Sequence, residues 1–304
     1  MTGSFDIIGD IHGFADELEA LLGTLGYQER NGAYRHDHGR RAVFLGDYID
    51  RGPQVRRVLR IVRSMVEEGS ALAILGNHEV NALRYHSLDA QGIPLRPHTP
   101  KYQAQHQATL DQVALSNPLE WENYLDWFAR LSLWMDLGGL RVVHAAWDEV
   151  AMVRLRGIGP LADGTLERFS RKGTDDHAAI SRLINGVEAN LLGDRQVPVN
   201  GAPRREVRVR WWERTSHGNA RSAIYPNDPL IPPLPLVPTE PCGYAPDAPP
   251  AFFGHYATTR QQAIVAPNLA CLDLGIGKGG SLAAYRWDGE SRLTENKLVM
   301  QPNS

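Results

Sequence analysis

The sequence predicts an α/β fold organised around parallel strands. Three observations carry that expectation. Short runs of β-branched and aromatic residues recur along the chain and are broken by glycine, as buried strands are. Amphipathic stretches at helical spacing separate the first of these runs. The runs also end on polar residues: Gly9-Asp10, Gly46-Asp47, Gly76-Asn77, His144 and Gly254-His255. Strand, helix, strand, helix, strand is a βαβαβ unit, and its crossovers make the strands parallel.

Residues 5–8 read as the first strand. Phe14, Leu18, Leu21, Leu22 and Leu25 then recur at helical spacing, with Asp16 and Glu17 in the first turn, where the helix dipole favours anions. A second strand follows at 42–45. The next helix carries an apolar stripe of Val55, Val58, Leu59, Val62, Met65 and Val66, and Pro53 stands where a first turn tolerates it. Its outer face holds Arg56, Arg57, Arg60 and Arg63, which read as a solvated surface. A third strand spans 71–75, and helices are expected near 101–112, 119–131 and 176–192. Further strands are expected at 140–143, 251–253, 263–265, 269–274 and 282–287, with no internal repeat.

Composition narrows the function classes. The 304 residues are 42% hydrophobic and 22% charged, which excludes wholesale disorder. Their formal net charge of −3 argues against a protein that coats nucleic acid, and no stable nucleic-acid complex is expected. Two cysteines, Cys242 and Cys271, exclude a disulfide scaffold and a Cys-rich zinc module. No apolar run approaches the ~18–20 residues of a membrane helix. The first residues carry Asp6 and Asp10 without a basic leader, so the expected setting is cytoplasmic. Length allows one domain or two. Ten of the 20 prolines fall within 226–250, a stretch that cannot be regular helix or central strand.

The strand ends carry the chemistry, because open α/β sheets place their sites beyond the carboxyl ends of their strands. Asp10 and His12 are two residues apart on an extended strand end and point the same way. A carboxylate with an imidazole suits Mn²⁺, Fe or Zn²⁺ better than Ca²⁺. Asp47 can bridge two ions with its two oxygens, Asn77 offers a carbonyl oxygen, and His144 and His255 offer nitrogens. These are six ligands for two ions. The flanking glycines let the backbone turn sharply and let a substrate approach.

Three local motifs appear in order: Gly9-Asp10-Ile11-His12-Gly13, Gly46-Asp47-Tyr48-Ile49-Asp50-Arg51-Gly52 and Gly76-Asn77-His78-Glu79. Together they resemble the calcineurin-like metallophosphoesterases, within them the phosphoprotein-phosphatase branch. The start, from Asp6 to Tyr27, is similar to the bacterial diadenosine-tetraphosphatase-like phosphatases. The resemblance is strong over 5–86, weaker at His144 and His255, and absent over 150–250. It implies a four-layer α/β/β/α sandwich of two mixed sheets flanked by helices. It implies that Asp10 and His12 bind one metal, that Asp47 bridges, and that Asn77, His144 and His255 bind the other. His78 would be the general acid, oriented by Asp50, and Arg51 would hold the phosphate. Departures lie at His144-Ala145-Ala146-Trp147 and Gly254-His255-Tyr256, where the branch commonly has His-Ala-Gly or His-Gly-Gly and Gly-His-Thr. The branch often has a second phosphate-clamping arginine, for which Arg210 and Arg221 are candidates by position before His255.

The chemistry supports the same mechanism. Phosphate-monoester hydrolysis needs up to ~10²¹-fold acceleration, and one general acid contributes only about 10²–10⁴. Metals and pre-organised charge must supply the rest. The expected reaction is attack of a metal-activated hydroxide on phosphorus, with His78 protonating the leaving group. Two divalent transition-metal ions are expected, Mn²⁺ first, with Fe, Zn or Ni also suitable. The expected substrate is a dinucleoside polyphosphate or another phosphate ester, whether a phosphorylated small molecule or a nucleotide. Phosphoserine or phosphothreonine protein and RNA-end phosphate are alternatives, and a non-catalytic nucleotide-binding module is an alternative of another class.

Outside the motifs, residues 204–221 carry six arginines, two glutamates and Trp211-Trp212. They could receive polyphosphate or a nucleobase, or form a solvated strand. His86 and His217 are lesser candidates for the site. Ligands running from Asp10 to His255 make residues 1–304 one catalytic domain, with a Pro-rich insertion at about 200–250.

Overall fold

A computed structural model describes residues 3–191, 194, 196–199, 202–213, 224–225 and 243–303. The chain opens with β1 (Phe5–Ile8) and α1 (Ala15–Thr24), a hairpin of β2 (Tyr27–Arg30) and β3 (Ala33–His36), then β4 (Arg41–Phe44), α2 (Val55–Glu67) and β5 (Ala71–Ala73). Next come α3 (Asn77–His86), α4 (Pro100–Thr109), a π-helical turn at Leu110–Ala114, and α5 (Pro118–Arg130). After β6 (Trp134–Asp136) and β7 (Arg141–Val143) lie α6 (Glu149–Leu155), α7 (Asp163–Ser170) and α8 (Asp175–Asn185). Short strands follow: β8 (Glu188–Asn190), β9 (Val197–Val199), β10 (Ala202–Arg204), β11 (Glu206–Val209) and β12 (Ile224–Tyr225). The described chain closes with β13 (Ala251–Phe253), β14 (Ile264–Ala266), β15 (Leu269–Cys271), β16 (Asp273–Leu274), β17 (Ser281–Trp287) and β18 (Leu298–Pro302).

Two mixed sheets form the centre. One has the order β16-β17-β1-β4-β5, with β18 beside β17; the other runs β14-β15-β13-β7-β6. The βαβαβ expectation holds: β1 is parallel to β4, and β4 to β5. Side-chain alternation builds the layers. Phe5, Ile7, Val43 and Tyr285 from the first sheet share a core with Val142, Phe252 and Ala270 from the second. Their neighbours Ile8, Phe44 and Ala284 turn outward to a core containing Leu18 and Leu22 of α1 and Val58 and Val62 of α2. Val143, Phe253 and Cys271 likewise face outward into the cluster that holds Met152 of α6 and Leu183 of α8. Helix, sheet, sheet, helix is the four-layer sandwich expected. Asp6 is fully buried on the outward side of β1 and is held by the Arg40 and Arg286 guanidiniums at 3.1 and 3.0 Å.

Four local departures have physical causes. The β2–β3 hairpin interrupts the first crossover; its Asn31-Gly32 tip has φ of 53° and 82°, the left-handed pair that a two-residue hairpin needs. The run at 269–274 is two strands, β15 in the second sheet and β16 in the first, so the chain changes sheet at Leu272. The helix expected over 176–192 ends at Asn185, because Gly186 takes φ 85°, and β8 follows. A last strand, β18, pairs with β17 beyond the strands expected. Residues 226–242 of the proline-rich stretch, with Arg221 and His217, lie outside the described residues. Among the described residues no helix is long and apolar enough to cross a membrane.

Candidate metal centre and catalytic site

The loops after β1, β4, β5 and β13 meet at one cavity of about 500 Å³, and His144 after β7 is buried against Asp47 beside it. Their backbones are unusual. Of the seven non-glycine residues with positive φ among the described residues, five are His12, Asp47, Asp50, Arg51 and His255, and Ala257 is two residues from the last of these. Each left-handed residue costs on the order of 1 kcal/mol and persists only where its surroundings hold it. Glu79 supplies much of that hold. From the first turn of α3 its carboxylate accepts the backbone N–H of Asp47 and Tyr48, both at 2.8 Å, and of Gly76 at 3.0 Å. Glycine is required where chain meets carboxylate: a Cβ on Gly254 would stand 2.0 Å from Asp10 Oδ1, and one on Gly76 would stand 2.2 Å from Asp47 Oδ1.

Asp47 sits between two groups of potential ligands, His12–Asp47–His78 and Asp47–His144–His255. His12 Nε2 is 3.6 Å from Asp47 Oδ2, and His144 Nε2 is 3.4 Å from Asp47 Oδ1. Two donors each roughly 2.1 Å from one ion stand about 3.0–3.5 Å apart, so this spacing suits a shared cation. The ring orientations agree. His12 Nδ1–H donates to the Ile49 carbonyl at 3.1 Å and His144 Nδ1–H to the Leu45 carbonyl at 2.8 Å, which leaves each Nε2 lone pair facing Asp47. Asn77 Oδ1 lies 3.1 Å from His144 Nε2 and 2.8 Å from His255 Nδ1. His255 Nε2 is buried without a hydrogen-bond partner. Asp10 lines the same cavity but belongs to neither group; both its oxygens accept the His255 N–H, at 3.1 and 3.3 Å.

The electrostatics point the same way. Burial holds the Asp10 carboxyl well above its ordinary value, and the Asp273 and Asp47 carboxylates push it further. Burial and the neighbouring His78 lower His12 to about 3, so its imidazole is neutral, as a ligand must be. Burial, then Arg208 and His144, also lower His255. Burial works against the Asp47 charge, but His144, His78, His12 and His255 outweigh it and keep the carboxyl ionised. The imidazoles of His12, His144 and His255 around converging carboxylates form a set of nitrogen and oxygen donors that fits divalent ions.

A buried polar chain lies alongside. His78 Nδ1 is 2.5 Å from Asp50 Oδ2. The other Asp50 oxygen accepts from the Thr109 hydroxyl at 2.6 Å and faces His106 Nδ1 at 2.8 Å. His106 Nε2 in turn meets His86 Nε2 at 3.3 Å. Burial opposes the charge on His78, but Asp47 and Asp50 prevail and raise its pKa. Burial, His106 and His98 lower His86 to about 4. His106 and Thr109 carry no local motif; α4 and the π-turn bring them to Asp50, where the turn's Gln112 also binds Val55 N–H at 2.7 Å and the Gly52 carbonyl at 2.9 Å. Such π-turns often mark functional sites.

Cations occupy the walls. Arg51 lines the cavity, and a Cβ on Gly277 would stand 2.5 Å from its Cδ, so the glycine leaves room for it to lie there. Arg208 of β11 also lines the cavity, whereas Arg210 ion-pairs with Glu213 at 2.9 Å and lies off its lining. The signal for Arg208 was alternation: Val207 and Val209 are buried in the core, so the residue between them faces the other way. Arg96, Tyr102 and Lys278 complete the rim, and none belongs to the motifs.

The family model for calcineurin-like phosphoesterases matches residues 3–220. Over 73 residues the chain is 52% identical to the asymmetrical bis(5'-nucleosyl)-tetraphosphatase PrpE of Oceanobacillus iheyensis, covering 24% of this chain and 29% of that one. It is 45% identical over 82 residues to the protein of the same name from Bacillus subtilis, covering 27% and 34%. The matches thus span about a third of the length of these curated relatives. A solved metallophosphoesterase from Sphaerobacter thermophilus is 18% identical with a TM-score of 0.43, covering 100% of this chain and 89% of that one.

Proposed function

The chain belongs to the calcineurin-like phosphoesterase family, and on that premise we propose that it is a two-metal phosphohydrolase acting on dinucleoside polyphosphates. One observation carries the reading: two ligand groups share Asp47 inside the cavity that also holds the His78–Asp50 pair and Arg51. Asp10, His12 and Asp47 would hold one divalent ion, and Asp47, Asn77, His144 and His255 the other. Mn²⁺ is the first choice for these donors, and Fe, Zn or Ni also suits them. Ions held there supply Lewis-acid charge for the phosphoryl oxygens and make hydroxide available near neutral pH.

The remaining work falls to the side chains. Arg51 offers two parallel N–H groups to the phosphoryl oxygens, a geometry lysine cannot copy. Arg208 reaches the cavity from another element and takes the second phosphate-binding role that sequence position suggested for Arg210 or Arg221. His78 Nδ1–H donates to Asp50, so its Nε2 faces the cavity, 3.9 Å from Asp47 Oδ2, and can deliver a proton to the leaving oxygen. Asp50 is fixed by Thr109 and His106, so it holds the imidazole plane and stabilises its charge. Residues 1–304 act as one catalytic unit, because ligands from Asp10 to His255 must meet for any step to occur.

The substrate reading rests on the relatives named as bis(5'-nucleosyl)-tetraphosphatases. A panel of dinucleoside polyphosphates, phosphopeptides, aryl phosphate and 5'-phosphorylated RNA, run with added Mn²⁺, tests it. Nucleotide products released fastest from the dinucleoside polyphosphate are expected. Preferred release of orthophosphate from phosphopeptide or RNA would overturn the substrate. Metal binding without hydrolysis of any member would overturn the enzyme reading.

A further inference from the structure

Beside its four carboxylates, Asp10, Asp47, Asp50 and Asp273, the cavity has more cationic side chains than one phosphoryl group requires. Four cationic side chains line it: Arg51, Arg96, Arg208 and Lys278. They come from four separate segments, and among the described residues none forms an ion pair with a carboxylate. Arg51 and Arg208 suffice to hold the phosphoryl group being cleaved. Arg96 reaches the lining from the connection between α3 and α4, outside the loops that carry the ligand groups.

That arginine is held in place. Its backbone N–H donates to the Arg84 carbonyl at 2.9 Å, and its guanidinium donates to Gln105 Oε1 at 2.7 Å. Its Cζ lies 4.3 Å from the centroid of the Tyr102 ring, a cation–π stack that sets the guanidinium plane. Tyr102 is itself anchored in the first turn of α4, where its N–H donates to the Thr99 hydroxyl at 3.3 Å. Arg96 is half-buried, and burial acts against its charge. A half-buried guanidinium that is stacked, oriented and without an ion pair, though Asp50 lies near enough to favour its charge, is arranged to receive an anion from the cavity. A cavity of about 500 Å³ falls within the roughly 300–1,000 Å³ of small-molecule sites and leaves room beyond a single phosphoryl group.

We propose that Arg96, positioned by Tyr102, binds a phosphate beyond the one being cleaved, and so selects polyphosphate chains over phosphate monoesters. This rests on the phosphohydrolase reading above and names the residue that sets its substrate class. The ligand chemistry is a polyphosphate, which an inorganic chain and a dinucleoside polyphosphate share.

The test compares kcat/KM for diadenosine tetraphosphate, inorganic tripolyphosphate and an aryl monophosphate in saturating Mn²⁺, for wild type, Arg96→Gln and Tyr102→Leu. Ratios taken within one preparation do not depend on the folded fraction. In Arg96→Gln, both polyphosphate-to-monoester ratios should fall at least tenfold. The Ki of tripolyphosphate against aryl phosphate hydrolysis should rise by a similar factor. Tyr102→Leu should shift the ratios in the same direction by a smaller factor. Ratios within twofold of wild type overturn the proposal. A fall for the dinucleotide alone also overturns it, because Arg96 would then read the nucleoside. Wild type that cleaves only the monoester refutes the polyphosphate reading itself, a result distinct from an unchanged ratio.

Discussion

The outer face of α2 and the wall of the cavity are both rich in arginine, but they treat its charge in opposite ways. On α2, Arg57 pairs with Asp16 at 2.6 Å, Arg56 with Glu120 at 3.1 Å and Arg63 with Glu67 at 2.7 Å. Each cation there is answered by a carboxylate of the same chain. In the cavity, Arg51, Arg96, Arg208 and Lys278 have no such partner among the described residues, while Asp10, Asp47 and Asp273 crowd one another. Paired charge in solvent contributes little to stability or function. Charge gathered in a cavity and left unbalanced by the fold is balanced by what binds: cations at the carboxylates and phosphate at the arginines.

The comparison can be broken at several points. The largest effect is expected at its centre. Asp47→Asn removes the carboxylate shared by both ligand groups, and kcat should fall about 10³-fold or more. Lewis-acid charge is worth several kcal/mol, and each step of about 1.4 kcal/mol is tenfold. Steady-state kinetics with saturating metal checks this. His78→Asn should cost roughly 10²–10⁴ in kcat, the usual range for a general acid. A substrate whose leaving group needs no proton should lose far less, which competing aryl phosphates of different acidity would reveal. Arg208→Ala should raise KM and lower kcat/KM by roughly 10- to 10²-fold, as loss of a charge-assisted contact of about 1.5–3 kcal/mol implies. Arg57→Ala should leave kcat/KM unchanged and shift unfolding free energy by roughly 0.2–1 kcal/mol, measured by urea denaturation. If Arg57→Ala impaired turnover as much as Arg208→Ala, the contrast between the two regions would fail.

The parts of this site that were legible from sequence share one property: they are local. Gly76-Asn77-His78-Glu79 spans a strand end and a helix start, so ligand, acid and loop-holding carboxylate stand in consecutive positions. The βαβαβ unit was equally legible, because its periodicities lie within single elements. His106 and Thr109 were not, since they reach Asp50 from 56 and 59 residues away through α4 and the π-turn. His86 was noticed only as a lesser candidate, and the structure brings it to His106 rather than to the ligand groups. Position before His255 pointed to Arg210 and Arg221, and it cannot tell where β11 ends. Alternation places both Arg208 and Arg210 opposite the buried Val207 and Val209; they differ because β11 ends at Val209 and Arg210 turns to pair with Glu213. The split of 269–274 was hidden for a related reason: both halves are apolar, and only pairing to different sheets separates them.

Metal stoichiometry tests the central claim most directly. Wild type and Asp47→Asn would be stripped with chelator, reloaded with Mn²⁺, freed of excess ion, and analysed for metal per chain beside hydrolysis of diadenosine tetraphosphate. The account predicts about two ions per wild-type chain, as two-metal sites hold, with activity returning only on reloading. It predicts a clear loss of bound metal and of turnover in Asp47→Asn. Equal metal content in the two proteins, or full turnover by the stripped wild type, would contradict it.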